Sequence, residues 1–149
     1  MSRIIDTTQY LDAVCSILDE GGTHVPVPVS GTSMCPFLHP GDTVYLDKPG
    51  DKLRIGDIVL YRRSSGQYVL HRIIRIGHGN LIYVTGDNQT TPEAVDSAGQ
   101  VIAVVSGANR NGRYTGPHSL VWRFYGNIWR SLRPLRPLIG KLHNITKTH

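Results

Sequence analysis

The chain has 149 residues, a formal net charge of +5 and hydrophobic residues at 40% of its positions. This length is close to the commonest domain size, so we expect a single domain, residues 1–149, whose core needs neither metals nor disulfide staples. No apolar run reaches the length of a membrane span, and the first residues include acids where a signal peptide carries basic residues. We therefore expect neither a transmembrane helix nor a signal peptide. The expected location is the cytoplasm or the surface of the cytoplasmic membrane.

The first predicted element is an amphipathic helix within residues 1–22. Apolar residues between Ile4 and Leu18 recur at roughly helical spacing, and Gly21-Gly22 ends the pattern. The next segment, HVPVPVSG, alternates apolar and other residues and contains two prolines. Proline cannot donate to a sheet ladder, so this segment is predicted to be an edge strand or an extended arm.

Residues 25–107 are predicted to form the β core. Short segments rich in Val, Ile and Tyr are separated by turn-forming residues: TVYLDK, DIVLYRR, QYVLHRIIRI, NLIYVTGD and QVIAVVSGANR. Five strands at this spacing predict a mainly β fold, a coiled antiparallel sheet or open barrel. The turns SSGQ and GHGN predict hairpins that bring Asp57, His71 and Asp87 onto neighbouring strands.

The basic residues are concentrated in the tail, residues 118–149. From Arg110 onward the chain carries eight Lys or Arg residues and no Asp or Glu. Up to the Arg133-Pro134 break the tail is predicted to be a basic amphipathic helix. Its Trp, Phe and Leu side chains among cations suit an anionic membrane surface, and a helix docked on its own sheet is the alternative.

Ser33 is the candidate nucleophile. A serine hydroxyl needs a tight, exposed turn beside a base, and Ser33 lies in SGTSMCPFLHPGD between Gly31 and the Pro36 and Pro40 positions. Such a turn can aim backbone N–H groups at an oxyanion. Taken alone, SGTSM is an ordinary polar loop. The ordered set GTSMCPFLHPGD, GDIVLYRR, VLHRIIRI and VTGDNQ, however, resembles the boxes of type I signal peptidases, from about Val29 to Val105.

The resemblance implies a serine peptidase of the signal-peptidase superfamily, which includes self-cleaving phage-type repressors. The serine of its Ser-Met turn is the nucleophile, which maps to Ser33. The strand that carries a lysine base in the main bacterial branch reads Leu70-His71-Arg72 here, which is similar to the histidine branch of the endoplasmic reticulum and archaea. An imidazole titrates near neutrality and suits a general base, so His71 is predicted to be that base.

Two aspartates are candidates for the acid that orients His71. Asp87 matches the Gly-Asp-Asn box of the family, and Asp96 matches the acidic position that the histidine branch uses. We prefer Asp96 as the third catalytic residue and Asp87 as an organiser of the site, while each can also be a turn aspartate that caps its own backbone. For the oxyanion we expect the Ser33 N–H as one donor and leave the second open between Ser30 and Thr32.

By this resemblance the protein is a serine endopeptidase that cleaves a precursor, leader or signal peptide bound as an added strand, without a cofactor. The cysteines and the remaining histidines lack the spacing of a metal or redox site, so no metal is expected. The alternative is a non-catalytic peptide-binding relative attached to a membrane surface or partner. Too few residues precede Ser33 for a DNA-reading bundle, so no specific nucleic acid is expected.

Overall fold

The computed structural model describes residues 7–129. An N-terminal helix is followed by eight strands, a short helix and a π-helical segment. The elements in chain order are α1 (Thr7–Asp19), β1 (Val25–Pro28), β2 (Thr43–Asp47), β3 (Ile58–Arg62), β4 (Tyr68–Ile76), β5 (Leu81–Thr85), β6 (Glu93–Asp96), β7 (Val101–Arg110), β8 (Arg113–Thr115), α2 (Leu120–Phe124) and the π-helical segment (Tyr125–Trp129).

The strands form one antiparallel sheet in the order β1-β2-β7-β3-β4-β5-β6, with β8 paired to β7. The prediction of a mainly β, coiled antiparallel fold is therefore confirmed. Register shifts interrupt the β2–β7, β3–β7 and β4–β5 ladders. Such irregularities bend a strand and increase its twist, which lets the sheet curl around its own side chains.

The sheet buries apolar residues on both faces, and β3 contributes to both. Ile58 and Leu60 belong to one core with α1, β1 and the segment after Ser33, whereas Val59 and Tyr61 belong to a second core. Alternation along a strand sends these two sets to opposite faces. The run IVLY is consequently apolar at every position, because its strand is covered on both sides.

Helix α1 confirms the predicted N-terminal helix. Leu11, Val14 and Leu18 are its buried residues, at the spacing that one helical face requires. Gly21 has a φ of 93° and its N–H donates to Leu18, so this glycine ends the helix in the left-handed conformation that glycine adopts without strain. The prediction began at Ile4, which lies outside the described residues.

The proline-containing segment is strand β1, and it lies at an edge of the sheet as predicted. Val25 and Val27 are buried while Pro26 and Pro28 are exposed. Val29 continues the strand by exchanging backbone hydrogen bonds with the Gly41-Asp42 turn. The edge position explains the prolines, because only an edge strand can do without every second N–H group.

The tail is helical from Leu120 to Trp129, where α2 runs into the π-helical segment. The Ser119 hydroxyl caps α2 by accepting the Trp122 N–H at 3.2 Å. The rest of the predicted basic helix lies outside the described residues. Within residues 7–129, neither helix is long and apolar enough to cross a lipid bilayer.

Candidate active site

Ser33 and His71 line the same cleft, which has a volume of about 770 Å³. Helix α1, strand β1 and the first half of β4 form its walls, and Ser30, Gly31, Arg63 and Gln89 also line it. The walls are mostly apolar, with side chains such as Leu11, Val27, Val29, Met34, Leu60 and Leu70. The fold thus brings together the two residues that were predicted to be nucleophile and base, although they are far apart in the sequence.

The turn that carries Ser33 is held from both ends. Gly31 has a φ of 77°, and the Cys35 N–H donates to the Thr32 carbonyl at 3.0 Å to close the turn. Met34, Phe37 and Leu38 are buried behind it and fix it to the first core. These constraints present Ser33 at the surface of the cleft on a rigid loop.

A second loop supports Ser33 directly. The Asn88 N–H donates to the Ser33 carbonyl at 2.9 Å, and a Cβ added to Gly86 would lie only 2.4 Å from that carbonyl. The Gly-Asp-Asn turn therefore packs closely against Ser33. Within residues 7–129, neither the Ser33 hydroxyl nor its backbone N–H has a hydrogen-bond partner, so both remain available to a ligand.

His71 is buried in β4, with 4% of its surface exposed. The Nδ1 atom lies 3.2 Å from the Tyr61 hydroxyl, whereas Nε2 has no hydrogen-bond partner in the described part of the chain. The pKa of His71 is lowered to about 4, mainly by burial, with Glu93 opposing the shift and Arg63 adding to it. The imidazole is consequently neutral at pH 7 and can accept a proton.

Glu93 and Arg63 complete a polar chain behind His71. The Arg63 Nη2 atom lies 2.7 Å from the Glu93 carboxylate, and Nε donates to both carboxylate oxygens at 3.1 Å. The Tyr61 hydroxyl interacts with both side chains. Burial and the neighbouring Glu93 carboxylate raise the pKa of Tyr61, so the phenol keeps its proton at pH 7.

Sequence reasoning missed Tyr61 and Glu93. The alternation of DIVLYRR could have found Tyr61, because in the antiparallel register Val59 faces His71 and Tyr61 is two residues further along the same face. Glu93 gives no such signal, since it reaches this face only through β6, whose register sets it opposite Val84.

Asp87 forms a buried ion pair with Arg72. Two guanidinium nitrogens donate to the two carboxylate oxygens at 2.9 Å each, and only 1% of either side chain is exposed. Arg72 also donates to the Gly56 carbonyl and lies over the Phe37 ring. Asp87 therefore ties β4 to the turn that supports Ser33, on the face of the strand opposite to His71.

Asp96 lies at the end of β6 and outside the lining of the cleft. Its carboxylate accepts the Ala98 N–H at 3.0 Å, and its own N–H donates to Gln100. These contacts cap the turn between β6 and β7. The structure does not bring Asp96 together with His71.

The two candidate oxyanion residues differ in position. Ser30 is exposed and lines the cleft, whereas the Thr32 carbonyl is engaged in the turn by Cys35 and by the Asn88 side chain at 3.5 Å. Their hydroxyl groups make no hydrogen bond within residues 7–129. The choice between them stays a prediction.

No group of three His, Cys, Asp or Glu side chains within residues 7–129 is arranged to hold a metal ion.

In a comparison with models of known families, residues 2–106 match the family described as Peptidase S24-like. A search of curated proteins found no match. The matched segment covers more than half of the chain and contains Ser33, His71 and the whole cleft described above.

Proposed function

The chain belongs to the Peptidase S24-like family of serine peptidases, and we propose that it is itself a serine endopeptidase that cleaves a precursor or leader peptide. Membership confirms the predicted signal-peptidase-like superfamily. The observation that carries the proposal is that Ser33 and His71 line one cleft, where Ser33 has a free hydroxyl and His71 is neutral at pH 7. We assign the chain to the histidine branch of the superfamily because the base position holds His71.

The proposed reaction is acyl transfer. Nε2 of His71 takes the hydroxyl proton while Ser33 Oγ attacks the scissile carbonyl carbon, and the same proton then passes to the leaving amine. His71 next takes a proton from a water molecule, which attacks the ester carbonyl, and the ester breaks to release the new carboxylate terminus as His71 passes that proton to Ser33 Oγ. The Ser33 N–H is the proposed first oxyanion donor, and Ser30, which lines the cleft, is the proposed second.

The proposed substrate is an extended peptide that pairs with β4. This strand pairs with β3 from Tyr68 onward but with β5 only from Arg72 onward, so the first half of β4 has one unpaired edge in the described structure. The Ile73 N–H points toward β3, and alternation therefore turns the N–H and C=O of Leu70 to the open edge. A peptide strand bound there would lie beside His71, in the cleft.

The apolar lining of the cleft supports a substrate with small apolar side chains before the scissile bond. Strand β1 restricts how that substrate is held on the other side. Its prolines offer no N–H groups, and the Pro26 carbonyl accepts a hydrogen bond from Tyr10 at 3.3 Å. Directional backbone pairing would therefore come mainly from β4, with β1 and α1 supplying apolar contact.

We further propose that the tail attaches the enzyme peripherally to an anionic membrane surface. Leu120, Val121 and Phe124 expose 82%, 55% and 39% of their surfaces on adjacent turns. Arg123 lies among them, and the chain beyond contributes further basic residues. Exposed apolar side chains next to cations suit the headgroup region of such a membrane.

The test of catalysis is labelling of the full chain with a fluorophosphonate, followed by intact and fragment mass measurement. We expect one adduct on Ser33 that is absent in Ser33→Ala and that forms at least about a hundredfold more slowly in His71→Ala. Ser64→Ala and His78→Ala, which change exposed residues outside the cleft, are the matched controls. A folded wild-type protein that never forms the adduct would instead be a peptide-binding relative without catalysis.

A further inference from the structure

The reaction proposed above leaves one buried polar chain unexplained. Tyr61 is fully buried, its hydroxyl lies 3.2 Å from Nδ1 of His71, and it interacts electrostatically with the Glu93 carboxylate. We propose that Tyr61 is a positioning residue, which, held by Glu93 and Arg63, fixes His71 in the tautomer whose Nε2 is unprotonated. This inference rests on the proposed function, in which Nε2 is the base.

The assignment of protons follows from the donor inventory. The Glu93 carboxylate is ionised and can only accept, so it is a stronger acceptor for the single hydroxyl proton of Tyr61 than a neutral imidazole nitrogen is, and we assign that proton to Glu93. The Tyr61 oxygen can then only accept from His71, whose Nδ1 lies 3.2 Å away. His71 must therefore carry its proton on Nδ1, which leaves the Nε2 lone pair free.

Arg63 prevents the opposite arrangement. The guanidinium holds the Glu93 carboxylate through three short contacts and interacts electrostatically with the Tyr61 hydroxyl. A guanidinium has no acceptor atom, so the Tyr61 proton cannot turn toward it. The hydrogen bonds from Arg63 and Tyr61 outweigh partial burial and lower the pKa of Glu93, which stays ionised and keeps accepting.

The fold keeps these groups on one face of the sheet. Tyr61 and His71 are diagonal neighbours across the β3–β4 ladder, and Glu93 faces Val84 in the β5–β6 ladder. Val84 itself pairs with Ile73, two residues beyond His71. A phenol thus occupies the place beside His71 Nδ1, where a triad would have a carboxylate.

The test observes the tautomer directly. The full chain is labelled with ¹⁵N-histidine, and the ring nitrogens of His71 are identified at pH 7 by their absence in His71→Ala. We expect Nδ1 to be protonated in the wild type, and a mixture of tautomers in Tyr61→Phe and in Glu93→Gln. Fluorophosphonate labelling of Ser33 should slow about ten- to hundredfold in both variants.

Tyr83→Phe is the matched control, because it removes a phenol hydroxyl from β5 outside the cleft and keeps the ring beside Arg75. The inference fails if wild-type His71 carries its proton on Nε2, or if neither Tyr61→Phe nor Glu93→Gln changes the tautomer. An Nδ1-protonated His71 in a protein whose Ser33 never labels would overturn the proposed peptidase activity while supporting the role of Tyr61.

Discussion

At the scale of single residues, Gly86 packs closely behind the Ser33 carbonyl. A Cβ at this position would lie 2.4 Å from the Ser33 carbonyl oxygen, a separation that forces the backbone to move. The Gly-Asp-Asn turn and the Ser33 turn are therefore shaped for each other. Glycine is required here for close approach and not for an unusual φ angle.

We predict that Gly86→Ala displaces Ser33 and slows its labelling by a fluorophosphonate more than tenfold, since small errors in placement are costly for a positioned nucleophile. Gly50→Ala is the control, because a Cβ there meets nothing within 4 Å. Equal labelling rates in the two variants would show that the Ser33 turn tolerates the displacement.

His71 makes stability depend on pH, and the sign follows from its burial. The pKa falls from 6.5 to about 4 on folding, so between these values the unfolded chain binds the proton and the folded protein does not. The stabilisation associated with neutral His71 is complete above the unfolded pKa and is lost as the pH falls toward 4. Glu93 and Arg63 modulate this shift, but burial dominates it.

We predict that, between pH 7 and about pH 4.5, the wild type loses about 2 kcal/mol more unfolding free energy than His71→Gln does. Urea unfolding of both proteins at the two pH values measures the difference directly. Parallel losses in the two proteins would mean that His71 is protonated in the folded state, contrary to its buried environment.

At the scale of elements, helix α1 forms one side of the cleft. Few polar contacts attach it to the sheet. The Tyr68 hydroxyl donates to Asp12, and the Cys15 thiol donates to Tyr68 over 3.8 Å. Tyr10 reaches β1 by its hydrogen bond to Pro26. Because these contacts are partly exposed, α1 should open more easily than the central strands.

We predict that Tyr68→Phe lowers stability by about 1 kcal/mol and accelerates amide exchange in α1, leaving exchange in β3 unchanged. Hydrogen exchange followed by mass spectrometry resolves the two elements. Tyr83→Phe again serves as the control. Uniformly faster exchange in both elements would show that α1 opens only when the whole protein unfolds.

The strands that sequence analysis missed are the short ones. β6 has four residues with Val95 as its only buried residue, and β8 has three residues with none buried. Alternation cannot be recognised over so few positions, and both strands exist because a longer neighbour pairs with them. Because β6 was not predicted, Glu93 was not recognised either: only the pairing of β6 with β5 brings its carboxylate to the face of the sheet that carries His71.

At the scale of the whole molecule, the apolar patch of Leu120, Val121 and Phe124 is at the start of the most basic part of the chain. We predict binding to vesicles that contain about 30 mol% anionic lipid, weaker binding to neutral vesicles, and release at high salt. Co-sedimentation of Leu120→Ser/Phe124→Ser should be reduced. Ile76→Ser, at another exposed apolar residue, is the control, and equal binding by both variants would contradict the proposal.

Sequence reasoning was sufficient for the properties that local patterns encode. The alternation of TVYLDK, DIVLYRR and QYVLHRIIRI predicts strands that the structure confirms, and the glycines after Leu18 predict the end of α1. The order of the boxes led to the superfamily that the family match confirms. Ser33 and His71 were singled out in the same way, because each lies within a motif of adjacent residues.

Only the tertiary structure decided what surrounds those two residues. In the sequence Asp96 was the preferred partner of His71 and Asp87 the alternative, but Asp87 pairs with Arg72 and Asp96 caps a turn. Tyr61 contacts His71 instead, and Glu93 acts on His71 electrostatically, through ladders that join β3 to β4 and β5 to β6. The physical reason is that hydrogen-bonding neighbours in a curled sheet are set by register between strands distant in sequence, which local patterns do not determine.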